Sequence, residues 1–250
     1  MRHLAVFASG RGSNFRAIAD HARLGILQNI EVSLLVTNDS NAPVVQIARE
    51  DSIPNVIIEG VYRRKFASKH DKEKARNEFD ERAVGILKEH QIDLVALAGF
   101  MQVLGPRIVE AYRFRIMNIH PAKDLVRFGG AGMFGKHVHA AVLDAGQTES
   151  GCTVHYVDES VDRGPIILQS AVSVEPGDTP EALAERILIQ EHRTYPKAIQ
   201  LHTDGRIAVR DGKAMIDLSG GWLERWNRRQ EAFINYQAGL RNERLLESST

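Results

Sequence analysis

Five short apolar runs, spaced along the first half of the chain, constrain its fold more than anything else in it. They are Leu4 to Ala8, Val32 to Thr37, Val56 to Ile58, Asp93 to Gly99 and Arg115 to Pro121. A short apolar run bounded by turn residues reads as a buried strand. The stretches between them are longer and helical in pattern. Phe15, Ile18 and Ala19 mark the first, Pro43 opens the second, and Phe79, Ala83, Ile86 and Leu87 recur at helical spacing inside the charged segment from Tyr62 to Gln91. Its lysines, arginines and glutamates read as a solvated helix face. Strand and helix in strict alternation predict an α/β fold, a mostly parallel sheet with helices on both faces.

The second half is more varied. Thr153 to Val157 and Ile166 to Gln169 read as two strands around the turn Val161-Asp162-Arg163-Gly164-Pro165. Thr179-Pro180-Glu181 places a cap residue before proline at the first helical position, and the helix it starts is expected to run to about Ile199. Asp204-Gly205 and Asp211-Gly212 bracket Arg206 to Arg210, the pattern of a small hairpin. From Gly221 to Thr250 an added helix is expected, with Trp222, Trp226, Phe233, Tyr236 and Leu240 on one face. That face packs either on the domain or against a second copy of the chain. The last residues, Ser248-Ser249-Thr250, are expected to fray.

Charge and cysteine content exclude several classes of partner. Lys plus Arg equals Asp plus Glu, so the formal net charge is zero. Proteins that live on nucleic acid carry a basic excess, and none is expected here. Cys152 is the single cysteine, so no disulfide forms within the chain, which fits a reducing compartment. It reads as a buried structural thiol. No stretch approaches the ~20 apolar residues of a membrane span, and the chain opens directly into a strand without a signal-peptide pattern. Cytoplasm is the expected setting.

Two places carry chemistry. The fifth apolar run ends in Asn118-Ile119-His120-Pro121. Residues two apart on a strand share a face, so an amide and an imidazole project together beyond its carboxyl end, where ligands bind in open α/β sheets. The first run opens into Ser9-Gly10-Arg11-Gly12-Ser13-Asn14 and then a helix. A glycine turn before a helix N-terminus suits an anion; it suits equally a plain tight turn with Ser13 or Asn14 as helix cap. The spacing fits neither the dinucleotide fingerprint nor the Walker loop. Phe128 to Gly135 holds four glycines in eight residues, a sharply turned segment of the kind that forms lids. His137, His139 and His155 raise the thought of a metal, but no carboxylate or cysteine has ligand spacing with them, and no metal is expected.

Taken in order, Ser9 to Asn14, Leu97 to Met101, Met117 to Pro121, Gly151 to His155, Asp162 to Pro165, and Gln190-Glu191-His192 with Tyr195-Pro196 form an ordered set. The set resembles the phosphoribosylglycinamide formyltransferases of purine biosynthesis, within the family that moves a formyl group from 10-formyltetrahydrofolate. The resemblance covers about residues 1–217, leaving 218–250 as a helical extension. It implies a Rossmann-like formyltransferase fold. It further implies Asn118, His120 and Asp162 as the catalytic group, Gly12, Ser13 and Asn14 at the substrate phosphate, and Glu191 at the ribose. Arg76, Met101, Val103, Leu104, Asn118, Asp158 and Val161 would meet the folate. The substrates are then glycinamide ribonucleotide and 10-formyltetrahydrofolate, with no metal, and a homodimer through the C-terminal helix is one possible assembly. Chemically, an amide N–H from Asn118 and a protonated His120, held cationic by Asp162, would steady the oxyanion formed when the amine attacks. Asp162 would also assist proton transfer through water.

The chain departs from the family pattern at Ala122-Lys123-Asp124-Leu125-Val126-Arg127, where Ser/Ala-Leu-Leu-Pro is usual, and at Gln102, where arginine is common. A formyltetrahydrofolate hydrolase would use the same three polar residues with water as nucleophile, but lacks the Gly12-Ser13-Asn14 loop. A folate- or nucleotide-binding module without catalysis is the other alternative. A methionyl-tRNA formyltransferase would need a further RNA-binding domain and a basic surface.

Overall fold

Leu4, Ala5, Val6 and Phe7 are all fully buried, the mark of a strand covered on both faces, and they lie at the centre of the sheet. The computed structural model describes residues 1–61 and 64–247, without the side chains of 237, 240 and 241–247. Tyr62, the side chain of Leu240 and the expected fraying of Ser248-Ser249-Thr250 therefore lie outside the described residues. In chain order the elements are β1 (Arg2–Phe7), α1 (Ser13–Arg23), β2 (Ile30–Thr37), α2 (Val44–Glu50), β3 (Asn55–Ile57), α3 (Lys69–Glu89), β4 (Leu94–Leu97), α4 (Pro106–Ala111) and β5 (Ile116–His120). There follow α5 (Leu125–Phe128), α6 (Lys136–Asp144), β6 (Glu149–Tyr156), β7 (Ile166–Ser173), α7 (Pro180–Thr203), β8 (Ile207–Arg210), β9 (Lys213–Ile216) and α8 (Trp222–Glu247).

The main sheet has the order β3-β2-β1-β4-β5-β6-β7. Strands β1 to β5 pair in parallel, while β6 and β7 run antiparallel. Alternate residues of β1 feed two cores. Leu4 and Val6 join Phe15, Ile18, Tyr195 and Ile199 from the helices of one face; Ala5 and Phe7 join Phe79, Ala83 and Leu87 of α3 on the other. The chain leaves β1 towards β2 on one side and later returns to β4 on the other. Such a reversal opens a crevice at the carboxyl ends of the two strands. Here Ser9 N–H reaches the Gly99 carbonyl at 3.2 Å and closes the floor of that crevice.

The helix starting at Thr179 forms as expected, its hydroxyl accepting from Ala182 N–H, but it runs on to Thr203 with Pro196 inside it. Asp211 and Gly212 both take positive φ, and β8 and β9 pair around them as the expected hairpin. The segment after Pro121 contains the short helix α5, with the Asp124 carboxylate accepting from Val126 and Arg127 N–H groups. The aromatic face of α8 packs on its own chain. Trp222 and Trp226 stack with centroids 5.8 Å apart, and Phe233 lies 3.7 Å from the His21 ring of α1. Among the described residues no helix is long and apolar enough to cross a membrane.

Candidate active site

The crevice at the carboxyl ends of β1, β4 and β5 is one continuous cleft of about 930 Å³, within the size of small-molecule sites. At one end lies the N-terminus of α1. Gly12 is its N-cap, in the left-handed region at φ 79, and no side chain caps the helix. Neither Ser13 nor Asn14 closes the first turn, so its N–H groups and the positive end of the helix dipole face the cleft. A Cβ on Gly12 would stand 2.6 Å from Val44 Cγ2. Asn14 Nδ2 donates to Glu191 Oε2 at 2.7 Å. Burial raises the Glu191 carboxyl above its ordinary value, and the Asn14 bond opposes this only in part.

In the middle of the cleft the polar groups converge on Asp162. Asn118 Nδ2 donates to Asp162 Oδ1 at 3.2 Å, His120 Nδ1 lies 3.5 Å from Oδ2, and Gly130 N–H donates to Oδ2 at 2.9 Å. Because β6 runs antiparallel to β5, its last residue Tyr156 pairs with Met117 near the start of β5, and the β6–β7 loop folds back to bring Asp162 to Asn118 and His120. Its φ of 56 is one that aspartate adopts more readily than most residues. Burial alone would raise the Asp162 carboxyl; His155, His120 and the Gly130 N–H outweigh it and hold the carboxyl below its ordinary value.

His120 is buried, and its Nε2 donates to the Phe128 carbonyl at 2.7 Å. Burial lowers this imidazole below the ordinary histidine value, with Asp162 and the Phe128 carbonyl raising it only part of the way back. The expectation that Asp162 holds His120 cationic is therefore corrected for the ligand-free protein: desolvation wins. The Asn118 amide is likewise engaged. Beyond Asp162, it lies 3.2 Å from His155 Nε2. His155 Nδ1 donates to the Tyr156 carbonyl at 2.9 Å, and its Nε2 also lies 3.5 Å from Asp162 Oδ1, so Asn118, His155 and Asp162 meet in one cluster.

The far wall is apolar. Leu97, Phe100, Met101, Val103 and Leu104 line it, facing the turn from Val157 to Asp162. Among the described residues no group of three or more His, Cys, Asp and Glu could hold a metal ion.

The formyl transferase family profile matches residues 2–199. The chain belongs to the formyl transferase family. A chloroplastic phosphoribosylglycinamide formyltransferase of Arabidopsis thaliana is 39% identical over 216 residues, which span 86% of this chain and 70% of that protein. The structure of glycinamide ribonucleotide transformylase 1 from Symbiobacterium toebii superposes with a TM-score of 0.76 at 35% identity, covering 86% of this chain and 94% of that one. A formyltetrahydrofolate deformylase from Pseudomonas syringae pv. tomato superposes at 0.73 with 24% identity, over 86% of this chain and 65% of that one, a likeness in fold alone.

Within this formyl transferase cleft, Gly12, Ser13, Asn14, Asn118, His120, Asp162 and Glu191 all contribute lining, as do Met101, Val103, Leu104, Asp158 and Val161. Arg76 is the exception. It does not line the cleft, and its guanidinium donates to the Leu104 carbonyl. Gln102, at the position of the usual arginine, is turned inward and accepts from Val61 N–H at 2.7 Å. His155 belongs to the polar cluster, although sequence reasoning left it without a role. The signal was available in strand pairing, because Asn118 and His155 are register partners across β5 and β6.

Proposed function

We propose that the chain transfers the formyl group of 10-formyltetrahydrofolate to the amine of 5-phosphoribosylglycinamide, with residues 1–217 as the catalytic unit and 218–250 as an extension. The observation that carries this reading is the uncapped N-terminus of α1, with its obligatory glycine, in the same cleft as the Asn118, His120 and Asp162 cluster. A hydrolase needs only the cluster; a phosphorylated acceptor needs both.

The folate supplies the formyl carbon. The protein's own groups do the rest. The N–H groups at Gly12, Ser13 and Asn14 hold the phosphate, and Glu191, fixed by Asn14, faces the ribose hydroxyls. That anchoring sets the amine beside Asn118 and His120, converting an encounter into a positioned reaction. In the ligand-free site His120 Nε2 and Asn118 Nδ2 are already engaged. For His120 Nε2 to donate to the formyl oxygen it must exchange the Phe128 carbonyl for it, which requires α5 and the glycine-rich segment to shift. One Asn118 N–H must exchange likewise. As negative charge gathers on the oxygen, the His120 cation becomes favoured again, with Asp162 beside it. Asp162 then takes the proton that the amine sheds and returns it, through water, to the departing folate nitrogen.

The test is deformylation of 10-formyltetrahydrofolate with and without glycinamide ribonucleotide. Turnover should depend on the ribonucleotide. His120→Ala should lower kcat by about a hundredfold or more, the worth of one such donor, while binding of the ribonucleotide survives. Turnover without the ribonucleotide would instead identify the hydrolase.

A further inference from the structure

We infer that α8 braces the phosphate-and-ribose end of the cleft, acting through His21 on Asn14, so that His21 is a positioning residue. The inference rests on the reading of that cleft given above and adds a role for a segment beyond residues 2–199, where the family match ends.

Asn14 and His21 are seven residues apart on α1 (Ser13–Arg23), two helical turns, and so share a face. At one end of that face Asn14 bonds Glu191 of α7, and its own Oδ1 is buried without a partner. A buried carboxyl with a single hydrogen-bond partner depends on the register of the two helices that bring the pair together. At the other end His21 is completely buried under α8. Its Nδ1 donates to the Ala17 carbonyl at 2.6 Å, which leaves Nε2 to accept from Gln230 Nε2 at 3.1 Å. Phe233 covers the ring at 3.7 Å between centroids, and Trp226 stacks on it at 6.5 Å.

The same helix grips α7. Trp222 Nε1 donates to Asp204 Oδ2 at 2.6 Å, and Asp204 caps the C-terminus of α7. Arg229 donates to the Ile26 carbonyl at 3.0 Å, just past α1. Thus α8 touches both helices whose other parts carry Asn14 and Glu191. An eleven-residue helix is about 16 Å long and stiff over that length, so a tilt at His21 is delivered to the substrate loop at its N-terminus. The first turn of α1 has neither an acidic residue nor a side-chain cap; the helix is also held by the buried Phe15 and by Arg16, which donates to both Asp51 carboxylate oxygens at 2.9 Å, so the brace from α8 acts together with these contacts.

Phe233→Ala in the full chain tests the brace. The KM for glycinamide ribonucleotide should rise about tenfold, the scale of a sub-ångström misplacement of a bound group, while kcat and the KM for the folate stay within about twofold. Amide exchange in the ligand-free protein should quicken along α1 as far as Asn14. Leu223→Ala, on the exposed side of α8, should change none of these. An unchanged ribonucleotide KM, an equal loss in all kinetic constants, or faster exchange confined to residues 20–23 would overturn the inference. Should Phe233→Ala fail to fold, Gln230→Ala removes only the bond to His21 and should still raise the ribonucleotide KM; no change there would overturn it as well. If the unaltered chain shows no ribonucleotide-dependent turnover, the proposed function is what has failed, and the brace is then judged on the exchange pattern alone.

Discussion

Gly12 meets two constraints at once. Its φ of 79 and the 2.6 Å approach of a would-be Cβ to Val44 act together, so Gly12→Ala costs both backbone strain and a displaced loop. We expect a loss of about 1–3 kcal/mol in stability, read by urea unfolding, with ribonucleotide affinity reduced more than folate affinity. Equal affinities for both ligands in the variant and the parent would contradict the placement of the phosphate. At this scale the sequence was readable where chemistry and spacing coincide. Asn118 and His120 stand two apart on a strand, and Asp162 sits in a turn rich in breakers. What was not readable is what those groups do to one another before a ligand arrives. The Phe128 carbonyl on His120, the Gly130 N–H on Asp162 and the burial that lowers the His120 imidazole arise from the loop after Pro121. Such contacts are backbone geometry, which residue identity does not announce.

Among the elements, α7 has the most to hold. Besides Glu191 it carries Tyr195, fully buried, whose hydroxyl lies 3.0 Å from the Leu97 carbonyl and 2.9 Å from the Met117 carbonyl. One proton is shared between the end of β4 and the second residue of β5. Tyr195→Phe should destabilise by about 1–3 kcal/mol, the cost of leaving buried acceptors without their donor. A denaturation midpoint equal to that of the parent would show that the bond contributes nothing. Pro196 adjoins this tyrosine inside the helix. Element type was legible for the strands and the long helices, where period and turn chemistry agree, but not for the short helices α4 and α5. Extents were less so: α7 outran its expected end because tertiary burial of Leu201 and Thr203 continues past the point where the sequence pattern weakens. The hidden face of α8 was legible as aromatic but not as to its partner, since one apolar stripe suits a domain and a second copy alike.

For the whole molecule, acid should be the weak direction. Burial lowers His21, His139, His192 and His202 to about 4. In the unfolded chain they titrate near 6.5, so between about pH 6.5 and 4 the unfolded state binds more protons and stability falls as pH falls. Each contributes a slope of up to about 1.4 kcal/mol per pH unit in that window. The raised carboxyls of Glu191 and Asp80 act in the opposite sense, but they are fewer. The urea midpoint should therefore drop from pH 7 to pH 5; a constant or rising midpoint would refute the assignment of these histidines as neutral and buried.

The two ends of the cleft also differ in how they come into being. Asn118 and Asp162 meet across 44 residues of chain, within the β5–β6–β7 meander. Asn14 and Glu191 meet across 177. Loop-closure entropy grows by ~0.6 kcal/mol for each doubling of length, so the second meeting costs ~1.2 kcal/mol more to close than the first. The reacting groups are thus the property of a local unit of the chain, whereas the place that holds the phosphate exists only once nearly the whole polypeptide has been drawn together.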